Sequence, residues 1–244
     1  MERCDFVNDK LKLIQNTEGL TFGTDALLLA GYLNTKNKIG CELGSGTGII
    51  SMLLLTREKL KEAVALEVQS DYAELTQKNA KLNGLSDRLK AVCADAREYK
   101  NEYEFDVVYS NPPYMRSDSG RPNENDKKNI ARHEIHGGIS DFCAAAKRLL
   151  KFGGTFAVVY RPDRLIDLLS SMREIGVEPK RMTFVHADTY SEPSMVLVEG
   201  KSGGKSSLLL TKPLLIYKDK SHKEYTDDMN YIMENGSFPP EFKR

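Results

Sequence analysis

Short apolar segments alternate with longer helical segments along most of the chain, and this alternation constrains the fold more than any other feature. Runs of apolar and β-branched residues predict strands at 39–43, 63–67, 90–94, 105–110, 155–160, 182–187, 194–199 and 208–217. Apolar residues at helical spacing predict helices at 26–33, 49–57, 70–82, 141–150 and 163–174. Strands that alternate with helices build βαβ units, so we expect an α/β fold with a mainly parallel sheet that is covered on both faces.

A few residues predict where these elements begin and end. Ser70 is placed to cap the amino end of one helix, and Asn83-Gly84 stops that helix. Gly153-Gly154 is expected to end the helix that starts at 141, and Pro213 interrupts the last strand.

The length of 244 residues and the 40% apolar content are enough for one sizeable core. The sequence has no internal repeat and no low-complexity linker. We therefore expect a single domain over 1–244, with an N-terminal segment 1–35, a core 36–200 and a C-terminal strand and tail 201–244.

The charges exclude one class of protein and leave another open. The 35 basic and 35 acidic residues cancel, which excludes a uniformly basic nucleic-acid binder. Residues 112–223 nevertheless carry an excess of lysine and arginine. This excess is typical either of solvated helix faces or of a local surface that meets a polyanion.

The cysteines predict neither a metal site nor a disulfide framework. Cys4, Cys41, Cys93 and Cys143 stand apart, without a Cys-x-x-Cys pair or a partnering histidine. No apolar run approaches the ~18 residues of a membrane span, and the first residues do not resemble a signal peptide. We expect a soluble cytoplasmic protein that needs no metal.

A glycine-rich turn, Gly44-x-Gly46-x-Gly48, separates the first predicted strand of the core from its helix. Glycines at such a turn let the backbone approach a ligand and direct helix amides at it. The dinucleotide fingerprint requires a further glycine at the position that Ile49 occupies, so a pyrophosphate cofactor is disfavoured. A purely structural tight turn remains the alternative.

Acidic residues stand at or near three successive strand ends. Glu42 precedes the glycine turn, Glu67 ends the next predicted strand, and Asp95 follows the third. A carboxylate at the end of the second strand is placed to accept hydrogen bonds from both hydroxyls of a ribose.

The tetrad Asn111-Pro112-Pro113-Tyr114 directly follows the fourth predicted strand. Two prolines fix φ and remove two amide donors, which leaves carbonyls pointing outward. The Asn111 side-chain oxygen and the Pro112 carbonyl can then both accept hydrogen bonds from one planar NH2 group. Tyr114 offers a flat face on which a base can stack.

Together, 42–48, Glu67, Asp95 and the tetrad resemble the motifs of class I S-adenosylmethionine-dependent N-methyltransferases, in order and at proper separation. Within that class, 20–29 and 131–134 resemble the bacterial tRNA adenine-N6 methyltransferases, which modify the purine beside the anticodon of a valine tRNA. The resemblance covers about residues 20–200. It implies a Rossmann-like sheet of seven strands, the last of them antiparallel, and S-adenosyl-L-methionine as cofactor.

The resemblance also implies roles for individual residues. Residues expected to contact the cofactor are Thr24, Asp25, Glu42, Gly44, Gly46, Gly48, Glu67, Asp95, Ala96 and Asn111. The glycines would surround its methionine portion, Glu67 its ribose, and Asp95 with Ala96 its adenine, while Thr24 and Asp25 help to close the site. Asn111, Pro112, Pro113 and Tyr114 would hold the target nitrogen. The basic residues expected to face RNA are Arg116, Arg121, Lys127, Lys128 and Arg132. The protein is expected to be a monomer.

Related functions stay open at this point. Glutamine-N5 methyltransferases of release factors share the tetrad but carry a helical domain ahead of the core, and only 43 residues precede Gly44. DNA adenine and ribosomal RNA guanine-N2 methyltransferases usually carry additional material that this sequence does not contain. A cofactor-binding, RNA-associated protein without catalysis is the remaining alternative, and the intact tetrad argues against it. The favoured interpretation is methyl transfer to adenine N6 in tRNA.

Overall fold

The computed structural model describes residues 2–16, 23–112 and 138–243. The described strands are β1 (Glu2–Asn8), β2 (Leu11–Asn16), β3 (Lys38–Leu43), β4 (Leu60–Glu67), β5 (Leu89–Cys93), β6 (Phe105–Ser110), β7 (Leu150–Tyr160), β8 (Val177–His186), β9 (Pro193–Ser202), β10 (Leu209–Leu210) and β11 (Leu214–Leu215). The described helices are α1 (Thr24–Tyr32), α2 (Ile49–Thr56), α3 (Ser70–Leu82), α4 (Ile139–Leu149), α5 (Leu165–Glu174) and α6 (Asp227–Asn235), with short 3₁₀ turns at Pro162–Arg164 and Pro240–Phe242.

Strands β3 to β11 form one mixed sheet in the order β10-β8-β9-β7-β6-β3-β4-β5, with β11 also paired to β8. The pairs β3–β4, β3–β6, β4–β5 and β6–β7 are parallel. Strand β9 runs antiparallel to both of its neighbours, β7 and β8. The seven long strands β3 to β9 thus confirm the predicted mainly parallel α/β sheet with a late antiparallel strand. The two short strands β10 and β11 extend its edge, and Pro213 lies between them as predicted.

Helices cover both faces of the sheet and create two apolar cores. Neighbouring strand residues alternate between the faces, so that Val107 and Tyr109 join one core and Val108 joins the other. The first core contains α1, α2 and the C-terminal segment, and the second contains α4 and α5. This two-sided cover explains why the strands are apolar almost throughout.

Two predictions about element ends are wrong. Gly153 and Gly154 do not end a helix, because α4 ends at Leu149 and the glycines lie inside β7. Gly153 has φ +75°, and the register against β6 shifts at this point, which is typical of a bulge. Ser70 is the first residue of α3, and its N-cap is Gln69, without a side-chain cap. Helix α3 does end at Leu82, before the predicted stop: Asn83 is its C-cap, and Gly84 follows with φ +66°.

The N-terminal hairpin β1–β2 is not predicted by the sequence pattern. It is held against α3 by two side-chain amides that imitate strand pairing. Asn79 accepts from the Ile14 N–H at 2.7 Å and donates to the Ile14 carbonyl at 3.0 Å. Asn83 does the same for Lys12, at 2.9 and 2.7 Å. The helix therefore replaces the third strand that a two-stranded hairpin normally needs.

Helix α6 is likewise unpredicted, and the C-terminal segment around it packs against α1. Lys59 is buried and donates to the carbonyls of Ala30 at 2.8 Å and Gly31 at 2.9 Å. Arg181 donates to the Tyr32 carbonyl at 2.6 Å and to the Phe242 carbonyl at 3.2 Å. Cations suit the negative end of a helix dipole, so these contacts fix the carboxyl end of α1. Within the described ranges, no helix is both long and apolar enough to cross a membrane.

Candidate active site

The predicted site residues gather at the carboxyl edge of the parallel strands. In the sheet register Leu43 lies between Leu66 of β4 and Ser110 of β6. Gly44 follows β3, Asn111 follows β6, and Glu67 is the last residue of β4, so the three residues lie at one edge of the sheet. Ligands of open α/β sheets bind at this edge.

The glycine turn folds tightly over the end of β4. The N–H groups of Gly44 and Ser45 both donate to the Leu66 carbonyl at 2.9 Å. Gly44, Gly46 and Gly48 have φ values of +71°, +53° and +77°, which residues with a Cβ rarely adopt. At Gly48 a Cβ would also lie 2.6 Å from Cγ2 of Thr76. The three glycines are therefore required by the backbone path.

Helix α3 anchors this turn through two polar side chains that the sequence analysis missed. Thr76 donates to the Gly46 carbonyl at 2.9 Å, and Asn79 donates to the Thr47 carbonyl at 3.1 Å. Asn79 thus joins the glycine turn to the N-terminal hairpin. The spacing of Thr76, Asn79 and Asn83, which places them on one face of the helix, was the feature of the sequence that could have indicated their role.

Glu67 lies directly beneath the turn. Its carboxylate accepts from the Gly46 N–H at 2.9 Å and from the Gln69 N–H at 3.0 Å. Each contact uses a different oxygen, and a carboxylate has about four acceptor positions. Glu67 can consequently accept two more donors, as a pair of ribose hydroxyls would supply.

The turn also has unused capacity for a polar ligand. Ser45 is 5% exposed, and its Oγ is the one buried side-chain polar atom in the described residues that lacks a hydrogen-bond partner. Buried hydroxyls without a partner are costly, which favours a ligand group at this position. Next to it, a Cβ on Gly46 would meet no atom within 4 Å, so the backbone borders open space. These features fit the amino-acid end of a nucleoside-linked methionine.

Asp95 and Ala96 lie just beyond β5 in a basic setting. The Asp95 carboxylate is bound by the Arg97 guanidinium, at 2.6 Å for the shortest contact, and by the Arg97 N–H at 2.8 Å. The Ala96 carbonyl accepts from Arg148 at 2.6 Å. These contacts order the segment next to Glu67.

Glu42 is fully buried behind the turn, in a chain of hydrogen bonds. It accepts from the Ser51 N–H at 3.1 Å and from the Ser51 hydroxyl, which lies 2.7 Å from the Tyr109 hydroxyl. The pKa of Glu42 is raised to about 8, mainly by burial; the hydrogen bonds from Ser51 lower this pKa, and the nearby Glu67 contributes to raising it. Burial likewise raises the pKa of Tyr109, which stays a neutral phenol. The chain links the amino end of α2 to β6, two residues before Asn111.

Asn111 follows β6, and α1 determines how its side chain points. Its Nδ2 donates to Oδ2 of Asp25 at 2.8 Å, while the other Asp25 oxygen accepts from the Ala26 N–H at 2.9 Å. A carboxylate only accepts, so the amide nitrogen must face Asp25 and the amide oxygen is turned away from it. Thr24, the first residue of α1, is exposed beside this pair.

The tetrad is only partly described. Pro112 is buried next to Asn111. The predicted contacts of Pro113 and Tyr114, and the predicted RNA-facing residues between 116 and 132, lie outside the described residues.

Comparison with known proteins shows which family this chain belongs to. A model of the family described as methyltransferase small domain matches residues 16–174. This chain belongs to that methyltransferase family. It is 30% identical over 182 residues to a tRNA1(Val) (adenine(37)-N6)-methyltransferase of Phocaeicola vulgatus, covering 73% of this chain and 76% of that protein. A protein of the same name from Porphyromonas gingivalis is 26% identical over 233 residues, covering 91% of this chain and 85% of the relative.

Solved structures confirm the fold of the methyltransferase. A predicted O-methyltransferase from Agrobacterium tumefaciens superposes with a TM-score of 0.71 at 19% identity, covering 88% of this chain and 98% of that one. TYW2 of P. horikoshii in complex with MeSAdo superposes with a TM-score of 0.58 at 14% identity, covering 83% and 72%. The chain is an S-adenosylmethionine-dependent N-methyltransferase. In the part of the chain that is described, no group of three or more histidine, cysteine, aspartate or glutamate side chains could hold a metal ion.

Proposed function

We propose that this methyltransferase transfers the methyl group of S-adenosylmethionine to N6 of an adenine in tRNA. The observation that carries the proposal is the Asp25–Asn111 hydrogen bond, because it engages the amide nitrogen and so turns the amide oxygen, the acceptor proposed for a substrate amine, away from Asp25. The names of the relatives support tRNA as the substrate, and a valine tRNA is the first one to test.

The proposed chemistry needs position more than acid or base. When bound, the cofactor would supply a methyl group on a sulfonium sulfur, and the neutral thioether is a good leaving group. Asn111 Oδ1 and the Pro112 carbonyl accept the two N–H bonds of the amine and orient its lone pair. The amine lone pair would take the methyl group as the sulfur leaves as a neutral thioether, and the methylated, cationic nitrogen would then release its proton to solvent. Holding the reactants together can supply about 7–11 kcal/mol.

The cofactor is proposed to lie along the strand ends. Glu67 accepts from the ribose hydroxyls through its two remaining acceptor positions, and Ser45 with the glycine turn binds the methionine end. Asp95 and Ala96 hold the adenine, Glu42 supports the turn from behind, and Thr24 with Asp25 closes the site.

The substrate side of the proposal draws on the sequence. Tyr114 stacks on the adenine after it leaves the anticodon loop. The basic residues between 116 and 132 face the RNA backbone. The enzyme acts as a single-domain monomer, and a tRNA substrate places it in the cytoplasm.

Tritium transfer from labelled S-adenosylmethionine tests the proposal. The acceptors are unmodified valine tRNA, purified release factor and duplex DNA, and Asn111→Ala is the inactive control. We expect label in tRNA alone, recovered as N6-methyladenosine after nucleoside digestion. Label in release factor or in DNA instead, or in no acceptor, overturns the proposal.

A further inference from the structure

A second group of side chains stands at the same edge of the sheet as the active site, in the loops 187–192 and 216–226. The first loop follows β8. Strands β7 and β8 are both antiparallel to β9, and β6 is parallel to β7, so β8 runs in the same direction as β6. The second follows β11, whose Leu215 pairs with His186 at the end of β8. Both loops therefore emerge at the carboxyl edge.

Their distance from the target-nitrogen site follows from the sheet order. Strand β8 is three positions from β6, across β9 and β7. At about 4.8 Å per strand the separation is about 14 Å. Stacked nucleotides advance by about 3.4 Å each, so the loops lie about four nucleotides from a base at Asn111.

One buried carboxylate joins the two loops. Asp188 is 2% exposed and accepts from the Tyr190 N–H at 2.8 Å and the Ser191 hydroxyl at 3.0 Å. Its other oxygen lies 2.8 Å from Nε2 of His222 in the second loop. Since a carboxylate only accepts, His222 is the donor. The surface above Asp188 is thereby pre-organised.

That surface consists of stacked rings and lysines. The rings of Tyr217 and His222 stack with centroids 4.6 Å apart, and Tyr217 stacks on Tyr225 at 5.2 Å. Lys220 lies 4.5 Å above the ring of Tyr190, which is 71% exposed. We call these five residues the loop platform.

Two of the three lysines in the second loop form no ion pair with the described residues. Lys218 pairs with Glu224 at 3.1 Å. Lys220 and Lys223, by contrast, form no ion pair with any residue that the structure describes. Exposed aromatic faces beside such cations are what single-stranded nucleic acids bind, through base stacking and phosphate attraction.

We propose that the loop platform, together with Lys223, binds the substrate RNA several nucleotides away from the methylated base. This inference rests on the proposed function for the identity of the RNA. Tyr190 stacks on an unpaired base, and Lys220 and Lys223 contact the backbone. The platform extends recognition along the carboxyl edge, beyond the target nucleotide itself.

Three variants test the platform: Tyr190→Ala, Tyr190→Phe and the double variant Lys220→Ala/Lys223→Ala. The first and the last should each raise KM for tRNA about tenfold, equivalent to about 1.4 kcal/mol, while kcat and cofactor affinity stay near wild type. Tyr190→Phe should keep the wild-type KM because stacking needs only the ring. The lysine variant should also flatten the salt dependence of tRNA binding by about one unit of slope per lost phosphate contact.

Matched controls come from the opposite edge of the sheet. Tyr103, 48% exposed, precedes β6, and the exposed Lys36 precedes β3. Tyr103→Ala and the double variant Lys36→Ala/Lys38→Ala, which removes two exposed lysines, remove the same groups and should leave tRNA binding and KM unchanged. Thermal unfolding of every variant verifies that the fold is kept.

The outcomes separate this inference from the proposed function. Methylation of tRNA with a wild-type KM and salt slope in the alanine variants overturns the platform and leaves the proposed function standing. Weaker tRNA binding by these variants, in an enzyme that does not methylate tRNA, supports the platform as an RNA-binding surface and overturns the proposed function. Equal losses in the platform and control variants overturn the platform.

Discussion

The ionisation of Glu42 makes the stability of this methyltransferase depend on pH in a way that can be measured. Burial raises the pKa of this carboxyl from 4.5 to about 8. In the unfolded chain the carboxyl recovers its ordinary pKa. Between these two values the folded protein holds a proton that the unfolded protein releases.

The sign and size follow from linkage. Glu42 contributes its full stabilising effect below the unfolded pKa of 4.5, and this effect is lost as pH rises through about 8. The slope is about 1.4 kcal/mol per pH unit. Most of the interval from pH 6 to 9 lies below the folded pKa, so the free energy of unfolding should fall by about 3 kcal/mol from this group.

Glu42→Gln isolates the effect, because the amide is neutral at every pH and its oxygen can accept from Ser51 as the carboxyl does. Urea unfolding of wild type and variant is measured at pH 6, 7, 8 and 9. Groups elsewhere titrate in both proteins, so their contributions cancel in the difference between the two free energies of unfolding. From pH 6 to pH 9 this difference should change by about 3 kcal/mol in favour of the variant. Glu104→Gln, at an exposed glutamate, controls for the change in net charge. A difference between wild type and Glu42→Gln that is the same at pH 6 and pH 9 would refute the reasoning.

Three further variants test the site. Glu67→Ala should weaken binding of S-adenosylmethionine by about 1–3 kcal/mol in calorimetry, since it removes acceptors from the ribose position; unchanged affinity would contradict that assignment. Asp25→Ala removes the acceptor that orients the Asn111 amide and should lower kcat about tenfold, the effect of roughly 1.4 kcal/mol; a wild-type kcat in single-turnover assays would show that Asp25 does not orient the amide. Tyr114→Phe should retain much of the turnover that Tyr114→Ala loses, because stacking requires the ring; equal inactivity of both would mean that the phenol hydroxyl takes part.

The local pattern of the sequence was sufficient for most elements of the central sheet and for the helices that cover it. Apolar runs and helical spacing indicate burial on one or two faces, and burial is what places a segment in a parallel sheet. Strand β6 and helix α3 accordingly have the bounds that the sequence predicts, Phe105–Ser110 and Ser70–Leu82. The glycines that need positive φ and the carboxylate that ends β4 can also be predicted from the local sequence, because the position of each is determined by the end of its own strand.

Contacts between distant segments could not be predicted in this way. The hairpin β1–β2 alternates polar and apolar residues too weakly to identify, and its anchor, Asn79, lies 65 residues from Ile14. Gly153-Gly154 looks like a helix stop, but both glycines lie inside β7, where a Cβ at Gly154 would lie 2.9 Å from the Lys151 carbonyl oxygen and 3.1 Å from that of Asp106. Sequence periodicity contains no information about which distant segment will pack against a given residue.

The site illustrates the same division between local pattern and tertiary contact. Local motifs were enough to select the tetrad, the glycine turn and Glu67 as candidates, since each is a short motif with its own chemistry. Only the tertiary structure paired Asp25 with Asn111, 86 residues apart, and joined Ser51 to Tyr109 across 58 residues. Such pairs depend on which parallel strands become neighbours and in what register, and that is decided when the helices pack over both faces of the sheet.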